Sequence, residues 1–354
     1  MTTDTTIKIT KNTNSNFENI DLKNLAFGTV YTDHMFICDF KDGEWQQPEI
    51  TPYQPMQLAP SARIFHYGQS VFEGMKAYKD TQNEVWLFRP EENWKRICFS
   101  SKRLAMPEIP KEIFMNGLKT LIKMDEKWVA SGKGNALYIR PFVFATEEGV
   151  SAAPANQYRF MIICTPVQGY YKDAEVKVKI SDHYSRAANG GVGATKAGGN
   201  YAASFYPTMK IQEEGYRQVL WTNSTHEYIE EAGTMNVVFR IGDTLLTAPA
   251  DDRILSGITR KSVLQLAEDE GLKFEVRKIS VTEVTEAAEN GTLKEIFGSG
   301  TAAVIIPFSG LGYKNKHWDL PTLENAYATQ LKSKLLDIQY NTIEDPYNWT
   351  LKIN

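Results

Sequence analysis

RAANGGVGATKAGGNYAASF, residues 186–205, is the most unusual stretch of this sequence, with glycines at 190, 191, 193, 198 and 199. Glycine at that density weakens a regular element. It serves where a backbone must approach a ligand closely or adopt positive φ. A mobile surface loop would account for the glycines equally well. A nucleotide-binding loop would not, because GGVGATK departs from GxxxxGK[ST]: Lys196 follows threonine, and no Ser or Thr follows it. Lys196 has a further reading, as an amine nucleophile. A lysine in a tight, partly buried site forms an imine with an aldehyde and, once released, moves a proton. Most lysines are merely solvated, so this reading needs an aldehyde cofactor and groups to bind it.

Working outward, the sequence offers such groups for pyridoxal phosphate. A phosphate is suited by the amides of a helix N-terminus, with a hydroxyl or an arginine nearby. LSGITRKSVLQLA, residues 255–267, opens a predicted helix with Ser256 as a candidate cap. GSGT, residues 298–301, is a second turn of glycines and hydroxyls. A pyridine nitrogen works best as an electron sink when a carboxylate keeps it protonated. YIEEAGTMNVVF, residues 228–239, sets Glu230 and Glu231 just before a glycine turn and an apolar strand. An exposed acidic pair is the commoner situation, and periodicity does not choose between the two.

The remainder reads as an α+β protein of two domains. A helix is expected after Pro90, with Trp94, Ile97 and Cys98 on one face, and another over 110–130. Residues 136–144 and 158–164 read as strands, as do 176–181, 218–222, 235–240, 244–248 and 274–279. Helices are expected at 257–270, 283–290 and 321–338. Residues 62–67 and 84–89 are short aromatic and β-branched runs. The Pro, Gly and Tyr cluster at 166–175 is a candidate connection between a smaller domain, 1–165, and a larger one, 176–354, carrying Lys196. Residues 1–20 read as a polar tail.

The sequence closely resembles the branched-chain amino acid aminotransferases of PLP fold type IV. The resemblance is carried by YGQSVFEGMKAY (67–78), LFRPEENWKR (87–96), LYIRPF (137–142), GGVGATKAGGNYAASF (190–205), EEAGTMNVVF (230–239) and LSGITRKS (255–262), in that order. It implies two α/β domains with the cofactor in the cleft between them, and a homodimer. It implies Lys196 as the lysine that holds the cofactor and shuttles protons, Tyr201 at the phenolate oxygen, and Glu231 at the pyridine nitrogen with Thr234 nearby. Arg96, Ile258, Thr259 and Thr301 are implied as phosphate contacts, and Arg186 as a second cofactor-site arginine. Phe27, Tyr67, Tyr138 and Tyr170 are implied as pocket walls, Arg140 as a partner for the second carboxylate of glutamate, and Thr301 with Ala302 as contacts for the α-carboxylate. An apolar wall suits leucine, isoleucine and valine, while glutamate needs a polar partner in the same site. Any one of these aromatics, taken singly, is more ordinarily core. Where some animal members carry a CxxC pair after GSGTA, this chain has Ala303 and Ile306, so no thiol switch of that kind is expected.

Composition narrows the alternatives. Apolar residues make up 42 %, charged residues 23 %, and the net charge is −4, which gives no basis for expecting nucleic acid or an anionic membrane as partner. No apolar run reaches bilayer length, and three scattered cysteines suit the cytoplasm. The five histidines are dispersed, so no metal is expected. Enzymes of the same fold type that act on D-amino acids or cleave aminodeoxychorismate fit the FEGMKAY, LYIRPF and GGNYAASF blocks less well.

Overall fold

The computed structural model describes residues 6–22, 25–168 and 175–354. The chain forms two compact units. One comprises residues 1–170, 195–198 and 337–354; the other comprises 171–194 and 199–336.

The first unit is built on one sheet of ten strands. At its centre Ala136–Ala145 runs antiparallel to Tyr158–Val167, in register from Ala136↔Val167 to Ala145↔Tyr158. ALYIRPFVFA is apolar at successive positions rather than alternating, as a strand covered on both faces requires. Among the described residues this unit has three α-helices: α1 (Arg63–Tyr67), α2 (Pro90–Arg103) and α3 (Lys111–Met124). Residues 63–67 are thus helical, and Gly68 ends α1 at φ 65°. Pro90 fills the first position of α2, where no N–H is needed; acidic Glu91 and Glu92 and basic Lys102 and Arg103 match the helix dipole at its two ends. Ile97 and Cys98 are buried as expected.

Helix α3 buries Phe114, Leu118, Leu121 and Ile122 at the expected helical spacing. It stops at Met124 rather than 130. Asp125, fully buried, leaves the helix to accept the His34 N–H at 3.0 Å and to meet His34 Nδ1 at 2.6 Å. Gly117 lets the helix lie directly on the sheet: a Cβ there would stand 2.5 Å from the Phe36 ring. At the far edge, Thr350–Lys352 adds an antiparallel strand to Val85–Phe88, and Ile353 is buried behind it.

Residues 195–198, expected with the C-terminal domain, pack instead with the first unit. The reason is backbone pairing. Phe72 N donates to Lys196 O at 3.0 Å, Lys196 N donates to Ser100 Oγ at 3.0 Å, and Ala197 forms a bridge with Val71.

The second unit has two sheets, of six and five strands. Its core gathers Val178, Leu220, Val237, Phe239 and Ile296 from both. Helix α4 (Gly198–Glu213) was not expected, since it starts on two glycines and carries Pro207 inside. Helix α5 (Ile258–Asp269) matches its expected span. Helix α6 (Val281–Glu289) is capped by Ser280, whose Oγ accepts from Glu283 N, the arrangement that S-x-x-E favours. Helix α7 (Tyr327–Gln339) is shorter than 321–338 at its start. Among the described residues no helix is long and apolar enough to cross a membrane. The three cysteines are buried and free.

Candidate active site

In the first unit, the pairings above fix the Lys196 backbone beside the strand Ser70–Phe72. Its Nζ lies 4.7 Å from the centroid of the Phe72 ring. The next residue, Glu73, is fully buried. Arg96, on α2, grips it with two bonds, Nε to Oε1 at 2.6 Å and Nη2 to Oε2 at 2.8 Å. Asn93, three residues back on the same helix, donates to Oε2 at 2.7 Å. Burial alone would raise the Glu73 carboxyl. The Arg96 charge and hydrogen bonds, with smaller effects of Lys196 and Asn93, overcome it and hold the group below the usual carboxylate value.

Tyr138 and Arg140 share one face of the strand Ala136–Ala145, two residues apart. Arg140 Nη2 donates to the Tyr138 hydroxyl at 3.0 Å, and its guanidinium carbon lies 4.5 Å from the Phe72 ring centroid. The Phe27 ring meets Tyr138 edge-on at 5.0 Å. These three expected pocket residues therefore stand together with Lys196 and Phe72. Tyr67, at the end of α1, is 41 % exposed and donates its hydroxyl hydrogen to Val150 O. Tyr170 lies outside the described residues.

In the second unit, Glu231 lies within the strand Tyr228–Ala232 rather than ahead of a strand, and is 4 % exposed. Three donors hold it: Arg186 Nη2 at 2.7 Å, Asn236 Nδ2 at 2.9 Å and Leu255 N at 3.1 Å. Arg186 also donates to Gly193 O at 3.2 Å and to Arg253 O, so it ties the glycine stretch to the segment before α5. Ala232 and Met235 close a tight turn whose Gly233 has φ 55°, and Thr234 is exposed at its tip. The positive φ favours glycine at 233, and a Cβ there would displace Gln218 Oε1, the end of a flexible side chain 1.9 Å away.

Glu230, the neighbour of Glu231, is also buried, and burial pushes its carboxyl up to about 7 against the lowering charges of Arg253 and Arg186. Arg253 Nε comes within 2.7 Å of Glu230 Oε1, yet neither atom makes a directed hydrogen bond. The contact is close but misaligned, which agrees with a carboxyl that titrates high.

The expected phosphate groups lie on two turns. Helix α5 starts at Ile258, with Thr259 next, and its N-cap is Gly257 rather than Ser256, so the cap residue itself offers no side chain to the first N–H groups. Glycine is required at the cap, since a Cβ there would fall 1.9 Å from Asn236 Oδ1. Thr301 and Ala302 sit in the turn between the strands Leu293–Gly300 and Val304–Pro307, which ends on Val304 at φ 61°. For a β-branched residue that conformation is strained, and strain of this kind gathers at ligand sites. Just before the turn, Ser299 is 2 % exposed and its Oγ has no hydrogen-bond partner. A helix start whose cap residue is glycine and an orphaned buried hydroxyl fit a phosphate, and a buried, triply held carboxylate fits a protonated ring nitrogen. The residues present therefore suit pyridoxal phosphate. Tyr201 stands half-buried in the first turn of α4.

Sequence reasoning missed Glu73, Asn236, Ser299 and Arg253. Glu73 and Asn236 stand inside quoted blocks, FEG and GTMN, where the spacing of chemically active groups drew attention to their neighbours. No local signal marks Arg253.

Fold and site define an aminotransferase, and the model of the family "Amino-transferase class IV" matches residues 70–311, so the chain belongs to that family. It is 41 % identical over 345 residues to branched-chain-amino-acid transaminase 1 of Bacillus subtilis (strain 168), covering 95 % of this chain and 96 % of that one. It is 43 % identical over 342 residues to the probable branched-chain-amino-acid aminotransferase of Staphylococcus epidermidis (strain ATCC 12228 / FDA PCI 1200), covering 95 % of each. The crystal structure of the Escherichia coli branched-chain amino acid aminotransferase shares its fold, with TM-score 0.76 at 23 % identity over 91 % of this chain and 100 % of that one. The enzyme from Thermobaculum terrenum does so with TM-score 0.76 at 21 % identity over 92 % and 99 %.

Proposed function

We propose that this protein transfers amino groups between L-leucine, L-isoleucine or L-valine and 2-oxoglutarate, using pyridoxal phosphate. The observation that carries the reading is Glu231, a buried carboxylate held by three donors two residues upstream of a glycine at positive φ. The relatives named above, branched-chain transaminases matched over nearly their whole length, support the substrate class. When bound, the cofactor supplies a carbonyl carbon that exchanges with amines and a pyridinium ring that accepts electrons.

The chain's own residues then divide the work. Lys196 would hold the cofactor through its amine and, with that amine free, would take a proton from the substrate α-carbon and give one back. Glu231 keeps the ring nitrogen protonated, and Arg186, Asn236 and the Leu255 amide fix Glu231. Thr234 completes that contact set, and Tyr201 serves the phenolate oxygen. The first amides of α5 at Ile258 and Thr259 bind phosphate, with the Thr301 hydroxyl and Arg96. Phe27, Tyr67 and Tyr138 wall an apolar pocket, Arg140 meets the second carboxylate of glutamate, and the Thr301–Ala302 backbone meets the α-carboxylate. The two half-reactions alternate on one lysine, which makes the kinetics ping-pong. The enzyme is proposed to act as a cytoplasmic homodimer, a state that light scattering on the purified protein would test.

The decisive experiment is a visible absorbance scan of the purified enzyme, followed by L-leucine without any oxo acid. The lysine-bound cofactor band should give way to the pyridoxamine band with release of the leucine oxo acid, and Lys196→Ala should abolish the change. Conversion by D-alanine in place of L-leucine would assign the enzyme to D-amino acids. A wild-type protein with no cofactor band when saturated would sink the role of Lys196.

A further inference from the structure

Helix α2 carries a serine that meets the backbone of Lys196. Ser100 is fully buried, and its Oγ accepts from the Lys196 N–H at 3.0 Å. On the other side of the same residue, Lys196 O accepts from the Phe72 N–H at 3.0 Å, and Ala197 bridges Val71. The two backbone groups of Lys196 are thus held by two different elements of the first unit, a helix and a strand. Serine gives a helix interior no advantage, because its hydroxyl competes for backbone groups. Ser100 stands four residues after Arg96 and seven after Asn93, on one face of α2. All three side chains bond to groups outside the helix, Arg96 and Asn93 to Glu73 and Ser100 to Lys196.

Ser101 supplies an internal comparison. It is equally buried, yet its Oγ has no hydrogen-bond partner. A serine kept only for its size would resemble Ser101. Ser100 differs by the amide that it accepts from. A lysine amine rides on a flexible four-carbon stem. The point where that stem starts decides which atoms the amine reaches, and a misplacement of about 1 Å costs about a hundredfold in rate. The strand Ser70–Phe72 fixes the carbonyl side of Lys196. Gly190, Gly191 and Gly193 precede the amide side, and glycine constrains a backbone least. The Ser100 hydroxyl anchors that side.

We propose that Ser100 is a positioning residue for amino transfer: its hydroxyl holds the Lys196 amide, so the lysine stem starts from one fixed point while its amine moves between cofactor and substrate. The proposal rests on Lys196 being the cofactor-holding lysine.

The test is the first half-reaction, followed by stopped-flow absorbance on cofactor-saturated enzyme with L-leucine and with leucine deuterated at the α-carbon. Wild type, Ser100→Ala, Ser100→Cys and Ser101→Ala are compared, and melting temperatures are read alongside. At saturating leucine, Ser100→Ala should slow the band change about tenfold or more, while the leucine concentration for half-maximal rate moves less than about twofold. The deuterium effect should be at least as large as in wild type, because the slowed step is proton transfer at Lys196. Ser101→Ala should keep the wild-type rate. A Ser100→Ala enzyme that melts lower but keeps the wild-type rate overturns the proposal and leaves the serine a structural role. An equal loss in Ser101→Ala, or a deuterium effect that shrinks towards one, overturns it too. If Ser100→Ala does not fold, Ser100→Cys decides: it keeps the volume with a weak acceptor, and an unslowed rate there overturns the proposal. A lysine-dependent band that survives in Lys196→Ala would overturn the lysine assignment itself, a result read in a different variant from an unslowed Ser100→Ala.

Discussion

Replacing Asn236 by alanine should damage both the stability of the second unit and the chemistry of Glu231. Asn236 is 5 % exposed, and its Nδ2 donates to Glu231 Oε1 and to Leu255 O, both at 2.9 Å. A hydrogen bond to a charged group contributes about 1.5–3 kcal/mol and a neutral one about 1 kcal/mol. The sum is about 3 kcal/mol, with the Glu231 carboxylate left buried. For a unit of this size each kcal/mol lowers the melting temperature by about 2–4 °C, which gives a fall of about 6–12 °C. Calorimetry of the cofactor-saturated protein would read it. In parallel, kcat for leucine with 2-oxoglutarate should fall by up to about 10–100-fold, the kinetic equivalent of the lost charged bond. Asn236→Asp should be worse, since it sets a second carboxylate against Glu231. An Asn236→Ala enzyme that melts within about 2 °C of wild type and keeps its kcat would refute the view that Asn236 holds Glu231 in place.

Three further outcomes are expected. Gly74→Ala sets a Cβ 2.1 Å from the Tyr138 hydroxyl, which accepts from Arg140; steady-state kinetics should show KM for 2-oxoglutarate rising about tenfold while that for leucine moves less, as loss of a charged hydrogen bond implies. Gly117→Ala sets a Cβ 2.5 Å from the fully buried Phe36 ring; the overpacking cost of about 1–3 kcal/mol should exceed the helix-propensity gain of about 1 kcal/mol, and urea unfolding should show a lower midpoint. Glu230, raised to about 7 by burial, holds a proton in the folded state that the unfolded chain releases near 4.5, so it costs stability as pH rises between those values. Glu230→Gln carries no such term, and its melting temperature relative to wild type should climb from pH 5 to 7 and level off above.

Pattern alone left a mobile loop around Lys196 and an exposed acidic pair at Glu230 and Glu231 open as readings; their expected roles came from the family resemblance. Helix α5 was readable because Ile258, Val263, Leu266 and Ala267 repeat at helical spacing on a buried face. Helix α4 was not, since Gly198, Gly199 and Pro207 all oppose a helix and only packing overrides them. Residues 195–198 joined the first unit through backbone pairing with residues 71 and 72 and a bond from Lys196 N to the Ser100 hydroxyl, contacts that leave no trace in the hydrophobic pattern. The same holds for Glu73 and Asn236. Their importance comes from partners 23 and 5 residues away that meet them only in the folded chain.

The strand Thr350–Lys352 has a consequence for how the protein is made. It completes a sheet edge whose neighbouring strand, Val85–Phe88, is translated more than 250 residues earlier. Until the ribosome has passed residue 352 and that segment has cleared the exit tunnel, the N–H and C=O groups of Val85–Phe88 on that side stay open, and an open edge is a template for pairing with another nascent chain. That edge of the first unit's sheet is therefore closed only after residues 350–352 have emerged, although most of the unit's residues emerge first. A nonsense codon or a protease cut a few residues before position 350 would spare every group assigned to the reaction and still release a chain prone to aggregate.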